Sequence, residues 1–315
     1  MKRTLKGRLL VGMSLLAVYA AFGRPQSALL ALQRNGTTGR GRGIPGVIQG
    51  QRGLAPPSAI PPIDGVVLLS DGIFEVTDPR PLQQAAELLE RKLGVPISYE
   101  DPVWASSSDT MHAADWPGNR ELAARNPNWK GPLGPRGGTV TVTLPTTQEA
   151  RQATNPAYVI QAVLSNHEAR GNAAQFTVVR FGENEFSIVP TKAEDKGGRL
   201  VDQASPLDLK ISFPEEERSL PAAVDLISQA IHARFVRIGS TPLTDVRAPR
   251  VRVGAQNETA RDVLARALRI PGGTKFSFQL NYMPDVQIYV IGLNPVRVEV
   301  PTPNGTRLET LYWPG

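Results

Sequence analysis

The residues best suited to chemistry lie close together in the sequence: Asp109, His112 and Asp115. A histidine between two carboxylates is a combination that general acid–base catalysis uses. Catalysis would require the three side chains to converge in one cleft, which their spacing does not ensure. An enzyme with its site at these residues is therefore one of three hypotheses, and the other two are binding functions.

Nucleophilic catalysis and metal binding receive less support. The chain has no cysteine, G-x-S-x-G is absent, and no S-x-x-K motif stands next to a helix start, so no activated nucleophile is recognisable. No H-E-x-x-H or similar metal-binding pattern occurs either. His167 and His232 stand at the ends of predicted helices, where positive charge is favoured. We predict no catalytic residue, no metal ligand and no cofactor.

Three of the four tryptophans lie in an irregular stretch rich in Gly, Pro and Asn, residues 101–138: Trp104, Trp116 and Trp129. Aromatic side chains on irregular segments often bind partner proteins or sugars. The alternative is that they anchor a long loop to its own domain. We take the three tryptophans as candidate binding residues and keep both interpretations open.

A second candidate contact surface lies near the C-terminus. Val296, Val298 and Val300 alternate with proline or charged residues, a pattern that predicts one more strand with an exposed edge. Residues 302–315 form a tail, in which Tyr312 and Trp313 either pack back onto the preceding unit, the favoured interpretation, or form a docking peptide.

The elements that must position these residues occur twice. The two first helices each carry an apolar face at positions i, i+4, i+7 and i+11: Leu82, Ala86, Leu89 and Leu93 upstream, and Leu220, Val224, Ile227 and Ile231 downstream. The two second helices share the spacing i, i+1, i+4 and i+5: Val159, Ile160, Val163 and Leu164, and Val263, Leu264, Ala267 and Leu268. A hairpin follows each second helix, at Phe176–Ile188 and at Phe276–Val290.

This order predicts an α+β protein of two tandem small β-α-β-β-α-β-β units, with the helices packed on small sheets. The units span 66–191 and 205–301, the linker between them is 192–204, and 101–138 is an insertion in the first unit. In the second unit we expect a leading strand at Leu207–Ile211 that Pro214 and the following glutamates end.

Residues 1–28 have the basic start and apolar stretch of a signal peptide with an ambiguous cleavage site. An uncleaved anchor helix is the alternative. Residues 29–65 form a basic Gly/Pro linker that we expect to be disordered. Because the chain has no cysteine, it is typical of a periplasmic or secreted bacterial protein that has no disulfides. After removal of the signal peptide we expect no transmembrane span.

The net charge is +6, and the densest group of basic residues lies within 247–269. An exported protein seldom meets nucleic acid, so we predict no nucleic-acid partner; an acidic partner or the envelope surface fits this charge better.

With these elements placed, the sequence resembles the short domain at the N-terminus of secretins and TonB-dependent receptors. The segments that carry the resemblance are LPAAVDLISQAI (220–231), ETARDVLARAL (258–268) and PLQQAAELLERKLG (81–94) followed by VPISY (95–99). The 101–138 insertion departs from that pattern, and no barrel sequence follows before Gly315. The resemblance therefore implies a way of contacting other proteins through sheet edges or helix faces, without a catalytic residue.

The sequence thus favours an exported, non-enzymatic envelope protein that acts through protein–protein contact, with an unidentified envelope protein as partner and a secretion or transport complex as one candidate. The alternative is binding of carbohydrate or peptidoglycan through the tryptophans of 101–138.

Overall fold

The computed structural model describes residues 63–182, 184–232, 238–240, 249–303 and 305–315. The predicted signal peptide and nearly all of the predicted linker 29–65 therefore lie outside the described residues. All described residues belong to one compact unit, Pro57–Gly315. Within them, no helix combines the length and the apolar character that crossing a membrane requires. The predicted α+β class is confirmed.

The strands are β1 (Val66–Ser70), β2 (Ile73–Asp78), β3 (Ile97–Glu100), β4 (Thr110–His112), β5 (Leu133–Pro135), β6 (Gly138–Thr143), β7 (Gln175–Phe181), β8 (Glu185–Glu194), β9 (Leu200–Asp202), β10 (Lys210–Ser219), β11 (Ile238–Ser240), β12 (Arg250–Thr259), β13 (Phe276–Met283), β14 (Ile288–Pro295), β15 (Arg297–Thr302) and β16 (Gly305–Thr310). The helices are α1 (Pro81–Leu93), α2 (Arg120–Arg125), α3 (Gln148–Ala153), α4 (Pro156–Ala169), α5 (Leu220–His232) and α6 (Ala260–Leu268).

The four principal helices, α1, α4, α5 and α6, pack through the apolar faces that the sequence predicts. The side chain of Asn155 accepts a hydrogen bond from the backbone N–H of Ala157 at the start of α4, and Thr259 does the same for Asp262 at the start of α6. Gly94 ends α1 with φ 68°, a left-handed conformation that glycine adopts without strain. All of the predicted apolar faces are buried except Leu93, which is partly buried.

The largest sheet has seven strands in the order β11–β14–β13–β3–β8–β7, with β9 also paired to β8. The remaining sheets are β1–β2–β6, β10–β12, β4–β5 and β15–β16. The residues of the predicted linker 192–204 contribute the end of β8 and the whole of β9, which pair with each other in antiparallel register.

The two halves of the chain use the same pairing scheme. β2 with β6 and β10 with β12 are antiparallel pairs. β3 with β8 and β11 with β14 are parallel pairs, and the hairpins β7–β8 and β13–β14 correspond as well. Each half also has its own hydrophobic core, built under α1 and α4 in the first and under α5 and α6 in the second. The duplication of the unit stays a prediction, which this scheme favours.

The two halves are not structurally separate, because they share a sheet. β3 of the first half pairs in parallel with β13 of the second, with Tyr99 opposite Gln279 and Glu100 opposite Leu280. Since strand pairing is non-local, the sequence pattern within either unit gives no sign of this junction.

The prediction that Pro214 ends the leading strand of the second unit is wrong. β10 begins at Lys210 and continues through Pro214 to Ser219. The register with β12 shifts between Phe213 and Glu216, and an irregularity of this kind accommodates a proline that cannot donate to the ladder. The strand expected at Leu207 begins later, because Pro206–Asp208 is a 3-10 turn.

Candidate functional site

The predicted tryptophan surface is not present as an exposed surface. Trp104 is 7% exposed and packs in the core of the second half, and Trp116 is 9% exposed. Trp129 is partly exposed, and its ring lies so close to Gly131 that a β-carbon at Gly131 would be 2.8 Å from it. The burial supports the alternative interpretation, in which these side chains anchor the long loop.

The predicted strand exists as β15, which begins at Arg297, and none of the three predicted valines has an exposed side chain. Val296 is fully buried, and Val298 and Val300 are half-buried. β15 is paired along its whole length with β16. Helix α1 covers it, and Lys92 of that helix contacts Glu299 at 2.5 Å. This hairpin is therefore a less open surface than the sequence suggested.

The C-terminal tail packs back, the favoured of the two interpretations. The indole N–H of Trp313 donates to the backbone oxygen of Leu268 at 3.1 Å, and the ammonium of Lys275 lies 4.7 Å from the centre of its ring. The backbone of Tyr312 forms an isolated antiparallel β-bridge with Thr274, and Tyr312 is 60% exposed.

The most exposed apolar segment of the described chain is strand β1, which sequence reasoning missed. Val67, Leu68 and Leu69 are 57%, 59% and 56% exposed. β1 is the edge of its sheet, and among the described residues β2 is its only partner strand. The outer row of backbone N–H and C=O groups on such a strand is available to another chain.

A sequence signal for β1 existed. Val66–Leu69 is a continuous apolar run, and Asp71-Gly72 separates it from Ile73, which is the pattern of a hairpin. Natural edge strands are usually blunted by lysine, proline or a cover, and β1 contains neither lysine nor proline.

The junction of the two halves holds a buried ion pair. Glu100 is fully buried and accepts both Nε (2.6 Å) and Nη2 (2.8 Å) of Arg261, a bidentate arrangement. Ser187 Oγ donates to the same carboxylate at 3.0 Å, and Ser205 Oγ donates to it as well. Burial lowers the pKa of Arg261, but the carboxylates of Glu100 and Asp208 outweigh this effect and raise it overall. The role of this pair is therefore structural.

A second buried carboxylate at the junction is Asp101. It accepts hydrogen bonds from Arg80 Nε (2.7 Å), from Tyr99 Oη (2.9 Å) and from the backbone N–H of Tyr282 (2.8 Å). Burial, followed by the charge of Asp101, raises the pKa of Tyr99 well above its usual value. All three partners donate to the Asp101 carboxylate, which is the pattern of a structural anchor.

A polar groove of about 490 Å³ lies between the 101–138 loop, the end of α4 and β8. Its polar lining comprises Ser108, Asp109, Arg136, Glu168, Asn172, Gln175 and Glu194. Next to it a much smaller cavity reaches under Trp104 and His167, and Asp109 lines both.

The candidate acid–base residues do not meet in this groove. Asp109 lines it, whereas His112 and Asp115 are not among its lining residues. His167 lines the small cavity and packs edge-on against Phe176 with ring centres 5.5 Å apart. Burial lowers the pKa of His167 to about 4, so the imidazole is neutral at neutral pH.

The dense basic group at 247–269 is paired in the structure, with Arg247 lying outside the described residues. Arg250 and Arg252 contact Glu217 and Glu215, each at 2.7 Å. Arg261 and Arg266 pair with Glu100 and Glu258, and Arg269 pairs with Glu185. These pairs neutralise the charge that an acidic partner would use.

Comparison of the sequence with models of protein families found no match, and neither curated proteins nor solved structures gave one. The resemblance to the short domain of secretins and TonB-dependent receptors therefore stays a prediction.

Proposed function

We propose that the protein is an exported, non-enzymatic envelope protein that binds another protein by strand addition at β1. The observation that carries this proposal is the exposure of Val67, Leu68 and Leu69 on the edge of a sheet. An incoming extended segment gains main-chain hydrogen bonds along β1 and covers its apolar side chains. Covering that area is favourable by roughly 25 cal/mol per Å².

The partner segment has a definite chemistry in this proposal. Asp64 and Asp71 flank β1 and are both exposed. An extended apolar segment with a basic residue near each end complements the strand and its flanks, since opposite charges steer and orient an encounter. The partner is accordingly an envelope protein that carries such a segment. A member of a secretion or transport complex is one candidate.

The kinship to the short domain of secretins and TonB-dependent receptors is part of the same proposal. The strands of the two halves pair in matching schemes. This match supports the kinship, because segments that resemble the family occur in both halves. Sugar binding by the tryptophans is not retained, because Trp104 and Trp116 are buried.

The test replaces the exposed apolar side chains of β1 by lysine. A C-terminally tagged chain with its own N-terminus is expressed in the envelope of a bacterial host, cross-linked and captured, in parallel with Val67→Lys/Leu69→Lys. We expect a protein that cross-links to the unchanged chain and is lost with the variant, because lysine on an edge strand opposes pairing. Amide hydrogen exchange in the complex should show new protection within Val66–Ser70.

Tyr158→Lys/Val286→Lys is the matched control, since it adds the same charge at two exposed apolar residues away from β1. It should retain the captured protein. The proposal fails if both double variants capture the same proteins as the unchanged chain, or if the β1 amides exchange equally fast in the complex and in the free protein.

A further inference from the structure

The polar groove has a charge balance opposite to that of the whole chain. The protein carries a net charge of +6, yet the groove is lined by three carboxylates, Asp109, Glu168 and Glu194, and by one guanidinium, that of Arg136. A groove of about 490 Å³ is in the range that small-molecule sites occupy.

The one guanidinium in the groove is directed at the protein backbone. Arg136 Nε donates to the carbonyl of Ser108 at 2.5 Å, and its Nη2 lies 3.5 Å from the carbonyls of Ser107 and Thr110. Its backbone N–H donates to the carbonyl of Asp109 at 2.6 Å. Arg136 thus holds the loop 106–110 in place, and no hydrogen bond joins it to the carboxylates of the groove in the described structure.

Asp109 is the residue that points to a ligand. It is only 7% exposed, it lines the groove, and in the described part of the chain its Oδ2 has no hydrogen-bond partner. A buried acceptor without a donor costs about 1–3 kcal/mol, and more when it is charged. A ligand that supplies the missing donor removes this cost.

Glu194 stands beside Asp109 and completes the acceptor pair. Its Oε2 accepts from Ser108 Oγ at 2.7 Å, which leaves Oε1 available for a further donor. Burial, and then the neighbouring charge of Glu194, raise the pKa of Asp109 to about 6, while the charge of Arg136 and a hydrogen bond with Ser108 lower it. A cation beside Asp109 and Glu194 offsets the unfavourable interaction between the two carboxylates.

We propose that this groove binds a primary alkylammonium group between the carboxylates of Asp109 and Glu194. An ammonium has three donors and no acceptor, which matches the oxygens of these two carboxylates. The alkyl chain then runs along the apolar part of the groove, Ala173, Ala174 and Leu200. The source of the group is either a free diamine or a lysine side chain of another protein. This site is independent of strand addition at β1.

The probe is 1,4-diaminobutane, titrated calorimetrically into the full chain at pH 7.5, where Asp109 is ionised. We expect saturable binding, with the affinity reduced at least tenfold in both Asp109→Asn and Glu194→Gln. Glu216→Gln, an exposed carboxylate of β10 outside the groove, should leave the affinity unchanged. The two groove variants act independently, so that a folding defect in one still leaves the other as a test, and circular dichroism checks both.

Nα-acetyl-lysine methylamide distinguishes the sources. If it binds as well as the diamine, a protein side chain is the occupant; if only the diamine binds, a free amine is. The proposal is overturned if neither amine binds, if 1,4-butanediol binds equally well, or if Ca²⁺ binds and displaces the diamine. Unchanged binding in Asp109→Asn and Glu194→Gln would overturn it as well.

Discussion

Single buried side chains at the end of β3 decide how this chain holds together. Glu100 and Asp101 are consecutive and fully buried, yet each is provided with donors from distant parts of the chain. A buried carboxylate persists in the charged form only where such donors replace water. Arg261, which contributes two of the donors to Glu100, lies 161 residues further along the sequence.

Glu90 is the contrasting carboxylate, because burial dominates over its partners. Its Oε1 accepts one backbone bond, from the N–H of Ile97 at 2.8 Å, and burial raises its pKa from 4.5 to about 8. A pKa that is raised in the folded state stabilises the fold fully below the unfolded value of 4.5. That stabilisation is lost as the pH rises through about 8.

We therefore predict that Glu90→Gln weakens the pH dependence of stability. Glutamine keeps the acceptor for Ile97 and cannot ionise. Between pH 6 and pH 9 the free energy of unfolding of the unchanged protein should fall by about 2 kcal/mol more than that of the variant. Urea denaturation at both pH values measures this difference. Glu121→Gln, on the exposed face of α2, is the control, and equal slopes for the unchanged chain and Glu90→Gln would contradict the prediction.

At the scale of elements, the strand pair β10–β12 depends on a glycine. Gly254 lies opposite the register shift between Phe213 and Glu216. A β-carbon on Gly254 would be 2.6 Å from Cα and 2.7 Å from the backbone N of Glu215, so the two strands could not stay this close.

Gly254→Ala is consequently expected to destabilise the protein by about 1–3 kcal/mol, the usual cost of overpacking. Gly118→Ala is the matched control, because no atom lies within 4 Å of the β-carbon position at Gly118. Its effect should stay within about 0.5 kcal/mol. Chemical denaturation compares the two, and a Gly254→Ala protein as stable as the control would show that the strands separate without cost.

Elements with local signals could be predicted from the sequence. The helix starts at Asn155 and Thr259 and the helix end at Gly94 depend on residues within one turn, so a sequence contains the information that sets them. Pro214 was misread because a strand tolerates proline where its register shifts, and that shift depends on the partner strand β12.

The candidate sites were less predictable, for a physical reason. Composition shows that Trp104 can bind a large apolar surface, but not whether that surface is a partner or the chain's own core. Asp109 was recognised as chemically capable, yet its neighbour in space is Glu194, 85 residues away, rather than His112. The hairpin pattern of β1 could be found in the sequence, but its exposure follows from the sheet order, which the sequence does not show.

At the scale of the whole molecule, the two halves are joined by more than a linker. β3 pairs with β13, the Glu100–Arg261 ion pair crosses the junction, and Trp104 of the first half packs in the core of the second. Removing either half would leave a buried charge and an open strand edge in the other, both of which are costly.

We predict that the halves unfold in one cooperative transition, although their pairing schemes are those of two units. Leu89→Ala in the first core and Ile227→Ala in the second should each cost about 2–5 kcal/mol. Each should shift the whole transition, followed equally by circular dichroism and by tryptophan fluorescence. Leu122→Ala, at a partly exposed side chain of α2, should shift it little. If Leu89→Ala instead separates an early transition from a late one, the shared sheet is not coupling the cores. The halves would then behave as the independent tandem domains that the sequence pattern suggested.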